Sequence, residues 1–393
     1  MRGKPVNPFR GIKKNVVVLS VASLCADISS EMLYPIIPIF LTSVLGAPMV
    51  VLGLIEGIAE STASILKAFS GWLSDKIAKR QPFVVAGYSL SVVSKILFFM
   101  AYSWPVLLIA RFLDRFGKGI RTSPRDAMIA DATDTAYRGK AFGFHRAMDS
   151  IGACIGPLFA IWFLSVFKDN LRDIFLVAFI PGALAVFVLV FFLKESNVLA
   201  GVTPGGIKNL LLIKNFSPDF KKFLLASAIF AVGNSSDAFL IMRSKDLGLS
   251  VIMVILAYVL YNISYSLFSM PFGILSDRIP RKKIMIAGYL IFAVVYLGFG
   301  LAAGPGIVWL LFPAYGFYIA MTDGVGKAIV ADMVKKEYMG TAMGLYHFVL
   351  GIFAFFASLV AGLLWMYVGV MAPFIYGAVC ALISCAAFIL LLK

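Results

Sequence analysis

Three acidic side chains lie in stretches that are otherwise apolar. Asp27, Glu31 and Tyr34 are spaced four and three residues apart, which puts them on one helical face, and Glu60 lies in the next apolar stretch. None of the three acids has a basic residue one turn away on its own helix. Burial disfavours the charged form of a carboxylate and so permits reversible proton loading. We therefore predict that Asp27, Glu31 and Glu60 are candidates for proton coupling.

A row of charged residues lies in another stretch of the chain, ARFLDRFGKGIRTSPRDAMIAD. Arginine forms a fork that suits carboxylate or phosphate, so the row predicts binding of an anionic substrate. Arg121 and Arg125 could equally anchor the segment at the membrane interface. The predicted cavity residues are Tyr34, Arg111, Asp114, Arg115, Lys118, Arg146, Asp149 and Asp237.

Some of these charges could serve as scaffolding instead. Arg146 and Asp149 have i, i+3 spacing, and Asp114 and Lys118 have i, i+4 spacing, so each pair could form a structural ion pair. His145 and His347 are better explained as packing residues than as proton shuttles.

The elements that must position these side chains are membrane helices. The chain has 393 residues, of which 61% are hydrophobic and 14% charged, with a mean hydropathy of +0.94. A span needs ~20 mostly apolar residues, which gives about twelve spans. The fold class is therefore all-α integral membrane. We predict a cytoplasmic segment 1–15, a six-helix bundle 16–193, a cytoplasmic linker 194–222 and a second bundle 223–393, with Pro35 and Pro38 kinking the first span.

The two halves repeat each other. The decamer GWLSDKIAKR, residues 71–80, returns as GILSDRIPRK at 273–282. Ala86-Gly87-Tyr88 and Ala130-Asp131 return 201 positions later as Ala287-Gly288-Tyr289 and Ala331-Asp332. The halves are therefore expected to be parallel, pseudo-symmetric repeats.

The decamers predict a conformational latch. Basic residues concentrate in loops on the cytoplasmic side, which puts both decamers and both termini in the cytoplasm; only Lys168, Arg172, Arg243 and Lys245 fall in the opposite loops. We expect Asp75 to dock against the start of span 11, near Gly340, and Asp277 against the start of span 5, near Gly139, because helix N-termini attract anions. The alternative is that the bases merely set topology. The latch residues are Gly71, Asp75, Lys76, Lys79 and Arg80, with Gly273, Asp277, Arg278, Arg281 and Lys282.

The decamers resemble a loop pattern of the major facilitator superfamily, Gly-x-Leu-x-Asp-Arg/Lys-x-x-Arg/Lys-Arg/Lys. Gly152, Gly156 and Pro157 match part of a span 5 pattern typical of the antiporters of that family, although Ala160-Ile161 replaces its closing Gly-Gly. The resemblance implies two six-helix bundles that rock around a central site in the cell membrane, and it favours the proton-coupled exporter branch.

Other classes of protein are not indicated. Gly324-Val-Gly-Lys327 lacks the spacing and the Ser/Thr of a phosphate-binding loop, and the motifs HExxH and GxSxG are absent. We therefore predict no enzyme, no metal site and no cofactor. The predicted energy source is an ion gradient, most simply of protons. The four cysteines, Cys25, Cys154, Cys380 and Cys385, lie in apolar runs and are expected to pack there. The expected partners are a small-molecule substrate and the lipid bilayer, with no nucleic acid, and the expected state is a monomer.

We predict a secondary transporter that exports a small organic molecule, anionic or amphipathic, in exchange for protons. A uniporter or importer of the same fold, a lipid flippase and a non-transporting membrane receptor remain as alternatives.

Overall fold

The structure, a computed structural model, describes residues 12–134, 137–167, 170–195, 216–334 and 339–392. Most of the predicted N-terminal segment, most of the linker, and Lys168 lie outside the described residues.

The described residues form fourteen α-helices. These are α1 (Lys14–Leu33), α2 (Ile36–Ile39), α3 (Met49–Ile77), α4 (Gln81–Phe99), α5 (Trp104–Asp131), α6 (Arg138–Val166), α7 (Asp173–Phe192), α8 (Pro218–Gly233), α9 (Ala238–Asp246), α10 (Val251–Ser276), α11 (Arg281–Leu301), α12 (Val308–Met333), α13 (Met339–Tyr367) and α14 (Ala372–Leu391).

These helices make twelve spans. Eleven helical segments of the described chain are long and apolar enough to cross a membrane, with α1 and α2 joined into one and α8 and α9 into another. The twelfth is α5, which is 28 residues long but carries too many charges to qualify by composition. It packs against α3 and α4 with Arg111, Asp114 and Arg115 buried, while Ile109 and Phe112 are exposed on another face. The helix therefore hides its charges inside the protein, as a membrane environment requires.

Two spans are interrupted at corresponding places. The first span breaks at Tyr34 and Pro35 and ends in a π-helical turn, Phe40–Val44, as its prolines predict. The seventh breaks at residues 234–237, between α8 and α9. Ser235 is the repeat equivalent of Tyr34, 201 positions later, so both breaks belong to the repeat.

Glycines let neighbouring helices approach closely, and this too is duplicated. A Cβ built on Gly87 of α4 would lie 2.6 Å from the Arg121 Cβ of α5. The equivalent Cβ on Gly288 of α11 would lie 2.5 Å from the Thr322 Cγ2 of α12. Both residues of each contact are displaced by 201 positions. The repeat is therefore one of packing as well as of sequence.

The two halves meet mainly along α3 and α13 and along α6 and α10. Beside Met49, where α3 begins, a Cβ on Gly362 would lie 2.6 Å from the Met49 carbonyl oxygen, and one on Gly53 would lie 2.3 Å from that of Ser358. This region is at the end of α3 remote from the first decamer. We call the end that carries 71–80 and 273–282 the decamer end. At the opposite end the halves also touch through Lys245 and Ser43, whose Nζ and Oγ are 2.5 Å apart.

We expect Gly53→Ala to lower the unfolding temperature of the purified protein, because the new methyl group would meet a backbone oxygen. Overpacking of this kind costs about 1–3 kcal/mol. Gly324→Ala is the matched control, since a Cβ there meets nothing within 4 Å and alanine favours a helix by about 0.5–1 kcal/mol. Equal melting temperatures for the two variants would contradict the close contact between the halves.

Candidate functional site

A central cavity of about 490 Å³ opens between the halves and adjoins a second of about 400 Å³. Such volumes are typical of small-molecule sites. Seven residues line both cavities, which makes the two continuous: Glu31, Lys67, Lys118, Tyr258, Tyr261, Asp323 and Lys327.

Most of the predicted site residues lie in this lining. The first cavity contains Glu31, Tyr34, Glu60, Arg115, Lys118 and Asp237. The second contains Asp27, Glu31, Lys118, Arg146 and Asp149. Arg111 and Asp114 belong to neither; they are buried behind the cavity wall.

A deeply buried ion pair of the first half also contacts the second half. The Arg111 guanidinium donates to both oxygens of Glu56, at 2.9 and 2.8 Å, and Glu56 is 1% exposed. The Ser236 hydroxyl, from the break between α8 and α9, also donates to Glu56, at 3.2 Å. Three donors therefore compensate the burial of this carboxylate. Arg111 is thus a structural group of the first half, and Glu56 links it to the second half through Ser236.

The predicted pairing of Asp114 with Lys118 is wrong. Asp114 instead accepts from the Lys95 ammonium of α4 at 2.8 Å and lies 4.0 Å from Arg111. The cause is the close approach of α4 and α5, where a Cβ on Gly117 would lie 2.5 Å from the Gly87 oxygen. This approach brings Lys95 across the helix interface and leaves Lys118 facing the cavity.

Asp149 has a different partner from the one predicted. Its Oδ2 lies 3.3 Å from His145 Nδ1, one turn earlier, while Arg146 turns outward to the Tyr265 hydroxyl of α10. Arg146 therefore bridges the two halves instead of pairing along its own helix. His145 is buried beside Asp149, whereas His347 lines the central cavity and is not a simple packing residue.

The three acids of the central cavity that the sequence predicted each have a defined partner. Tyr258 donates to Glu31 at 2.9 Å, Tyr315 donates to Asp237 at 2.7 Å, and the guanidinium of Arg115 lies 3.4 Å from Glu60. Glu60 thus has a basic neighbour on α5 that inspection of its own helix could not reveal.

Close packing of α6 against α1 fixes the backbone position of Asp27. The glycines of the span 5 pattern pack against α1, so that a Cβ on Gly152 would lie 2.9 Å from the Asp27 Cβ, and one on Gly156 would lie 3.2 Å from the Glu31 Cβ. Pro157 follows inside α6. Within the described residues, no ion pair or hydrogen bond fixes the Asp27 carboxylate.

Corresponding positions of the halves differ in chemistry. Lys95 and Asp114 form a salt bridge in the first half, and their equivalents 201 positions later are Tyr296 and Tyr315. Along α3 and α10 the displacement is 202 positions, as in the decamers, so Glu60 corresponds to Asn262. The Lys95 and Asp114 positions are therefore ionic in the first half and aromatic in the second, and most of the tyrosines of the cavity come from the second half. The tyrosines that line the cavity are Tyr34, Tyr258, Tyr261, Tyr289, Tyr315, Tyr318 and Tyr346.

The first decamer forms an ion cluster inside its own half. Arg80 binds Asp75 at 3.0 Å and also binds Asp131 at the end of α5. Ala78, which ends α3, has the left-handed φ of 56°.

The second decamer repeats this cluster. Arg281 binds Asp277 at 3.0 Å and also binds Asp332, so the Arg80–Asp131 pair recurs 201 positions later. The other predicted latch residues lie apart from these clusters. Gly71 packs near Ser123, and a Cβ on Gly273 would meet nothing within 4 Å. Lys76 lies over the Trp72 ring, Lys282 donates to the Leu392 carbonyl, and Lys79 and Arg278 are exposed. The described contacts of Asp75 and Asp277 are thus made within each half.

Basic residues at the opposite end cap helices. Arg172 donates to the Phe99 carbonyl at the end of α4, at 2.7 Å. Arg243 donates to the carbonyls of Phe299 and Ala302 at the end of α11, at 3.0 and 2.8 Å. Arg243 and Lys245 lie in the last turn of α9, so their prediction as loop residues is wrong. Helix carboxyl ends favour such cations.

Several cavity residues were absent from the predicted set. They include Lys67, Asp323, Lys327, His347 and the tyrosines of the second half. Charge inside an apolar run could have pointed to the lysines and Asp323, but the tyrosines carry no charge and resemble ordinary core residues.

Two bundles of six helices around a central polar cavity form the architecture of a membrane transporter. A family model, Major Facilitator Superfamily, matches residues 19–242 and 223–393. An uncharacterized MFS-type transporter of Methanocaldococcus jannaschii is 39% identical over 385 residues, which cover 95% of this chain and 94% of the relative. The chain belongs to the major facilitator superfamily and is a multi-pass membrane transporter.

Solved structures agree in fold. A mutant of the nucleoside transporter NupG has a TM-score of 0.81 at 14% identity, covering 96% of this chain and all of that one. A D-xylose-proton symporter has a TM-score of 0.74 at 17% identity, covering 95% of this chain and 96% of that one.

Removal of one member of the buried pair, by Glu56→Gln or Arg111→Met, should destabilise the protein by about 3–5 kcal/mol, because the other charge stays buried without compensation. The double variant should lose less than the sum of the two. Denaturant unfolding in mixed micelles, treated as a double-mutant cycle, measures this coupling. Strictly additive losses would contradict the pairing.

The duplicated arginines provide a second matched test. The Arg80 side chain is 11% exposed and that of Arg281 is 24% exposed. Arg80→Met should therefore lower the melting temperature more than Arg281→Met, since solvent screens the second cluster better. A larger loss for Arg281→Met would contradict this ranking of the two clusters.

Proposed function

We propose that this transporter exports a small organic molecule in exchange for protons and that Asp27 carries the proton. The single observation behind this proposal is the position of Asp27, a partly buried carboxylate in the cavity lining that no described contact holds. Glu31, Glu60 and Asp237 each have a partner among the described residues. Asp27 is thus the acid best suited to gain and lose a proton during the cycle.

The charges around Asp27 are balanced. Asp149 and Glu31 repel a negative charge there, whereas Lys118 and Arg121 attract it. A substrate or a bundle movement that shifts one of these neighbours would change the proton affinity of Asp27. That sensitivity is what coupling requires.

The decamers are proposed to act as the latch of this cycle. We place the decamer end and both termini on the cytoplasmic side of the cell membrane, following the distribution of basic residues. In a state that is closed at that end, Asp75 and Asp277 would break the contacts within their own halves and dock against helix N-termini of the other half. The export direction rests on the likeness of Gly152, Gly156 and Pro157 to the antiporter pattern.

Proton-coupled uptake by the same fold is the second candidate, and Lys118 favours it. Asp27 and Lys118 attract each other. An anionic substrate at Lys118 would compete with ionised Asp27 for that ammonium group, so the anion and the proton would bind together. Joint binding produces movement in the same direction.

The test is substrate-dependent proton movement in proteoliposomes that contain a pH-sensitive dye, challenged with a panel of organic acids, amines and nucleosides. We expect at least one compound to move protons, and Asp27→Asn to abolish that movement. Asp219→Asn is the control, since Asp219 is exposed and outside the cavity. Proton flux opposite to substrate supports export, and flux in the same direction supports uptake. An Asp27→Asn variant with the wild-type proton flux would rule out the assignment of Asp27.

A further inference from the structure

Two lysines of the cavity have neither an ion pair nor a side-chain hydrogen bond in the described part of the chain. Lys67 of α3 and Lys118 of α5 line both parts of the cavity. Other lysines in the same region are neutralised at contact distance, since Lys95 binds Asp114 and Lys327 binds Asp323, both at 2.8 Å. The two lysines are therefore exceptional within this site.

The protein backbone fixes these lysines on adjacent helices. A Cβ on Gly119 of α5 would lie 2.6 Å from the Leu66 Cβ of α3, so the helices touch beside both residues. The Ser123 hydroxyl donates to the Lys67 carbonyl at 2.7 Å, which links α5 back to α3. Both side chains line the same two cavities, so their positive charges face one shared space. Two like charges held together at a partly buried site favour a bound anion, because the anion relieves their mutual repulsion.

Aromatic side chains from the second half line the same cavities. Tyr258 and Tyr261 of α10 line both parts, with ring centroids 5.3 Å apart, and Tyr258 stacks on Tyr34 at 5.4 Å. The Tyr258 hydroxyl is engaged by Glu31. The rings therefore offer mainly apolar surface. Flat apolar groups pack well against such rings.

Apart from Asp27, which is proposed to carry the proton, the acids of the central cavity are already engaged. Glu31, Glu60 and Asp237 are engaged by Tyr258, Arg115 and Tyr315, and Asp323 is engaged by Lys327. An organic cation would have to displace one of these partners. An anion could bind Lys67 and Lys118 without displacing an ion-pair partner.

Resting on the proposed proton-coupled transport, in the uptake direction that Lys118 favours, we propose that the substrate is an amphipathic organic anion. Its acid group binds between Lys67 and Lys118, and its flat apolar body lies against Tyr258 and Tyr261. Lys118 belongs to the charged row that predicted an anionic substrate, whereas Lys67, Tyr258 and Tyr261 were absent from the predicted set. The cavity brings all four together.

The test is thermal stabilisation of the purified full-length protein by three compounds of one shape: 2-naphthoate, the neutral 2-naphthamide and the cationic 2-naphthylmethylamine. We expect 2-naphthoate to raise the melting temperature by several degrees at millimolar concentration and the other two to have little effect. Equal or larger shifts with the amide or the amine would overturn the proposal.

Variants then locate the site. Lys67→Met and Lys118→Met should each weaken binding of 2-naphthoate at least tenfold, and Lys118→Arg should retain most of it, because arginine keeps the charge. Lys283→Met is the control, since Lys283 is exposed and lies outside the cavity. Tyr261→Leu should weaken 2-naphthoate more than acetate. Because the arginine variant keeps a cation, its binding separates a loss of charge from a loss of folding. Unchanged binding in both methionine variants would overturn the proposal.

The two proposals fail separately. Binding of 2-naphthoate that depends on the lysines, without substrate-dependent proton movement, would refute proton coupling and leave the anion site intact. Proton-coupled transport of amines or neutral compounds that is indifferent to Lys67→Met and Lys118→Met would refute the anion site and leave the coupling intact.

Discussion

The structure depends on the compensation of charge in a membrane interior. A helix with the charge of α5 could not face lipid, because an uncompensated ion there costs several kcal/mol or more. The protein satisfies this constraint by surrounding α5 with α3 and α4, which supply Glu56, Glu60 and Lys95 as counter-charges. This pairing also determines where the cavity lies, because the charges that have no counter-charge are found at the boundary between the halves.

Close helix packing turns this constraint into a specific geometry. Glycine at Gly87 and Gly117 lets α4 and α5 approach until Lys95 reaches Asp114, and Gly152 brings α6 against the backbone of Asp27. A helix pair separated by larger side chains would leave these ions too far apart to compensate each other. The small residues therefore decide which charges become structural and which remain available to a ligand or a proton.

Duplication created two similar bundles whose interiors then differ. The outer framework keeps its repeat, as in the pairs Arg80–Asp131 and Arg281–Asp332. The interior does not, because ionic positions in the first half correspond to tyrosines in the second. A transporter with this division can recognise the charged and the apolar parts of one molecule on opposite walls, while the shared framework permits the bundles to rock as related bodies.

The sequence by itself determined the number of spans, the repeat, the family and the set of charges that had to be inside, because hydropathy and the offset of 201 positions are properties of the chain alone. It also located the break at Pro35, since proline acts locally. Only the tertiary structure decided the partners. Asp114 binds Lys95 and not Lys118, Glu60 meets Arg115, and Asp27 stays without a described partner. Spacing along one helix cannot reveal such contacts, because in a bundle a charge is neutralised chiefly across helix interfaces, and those distances depend on how closely the backbones approach.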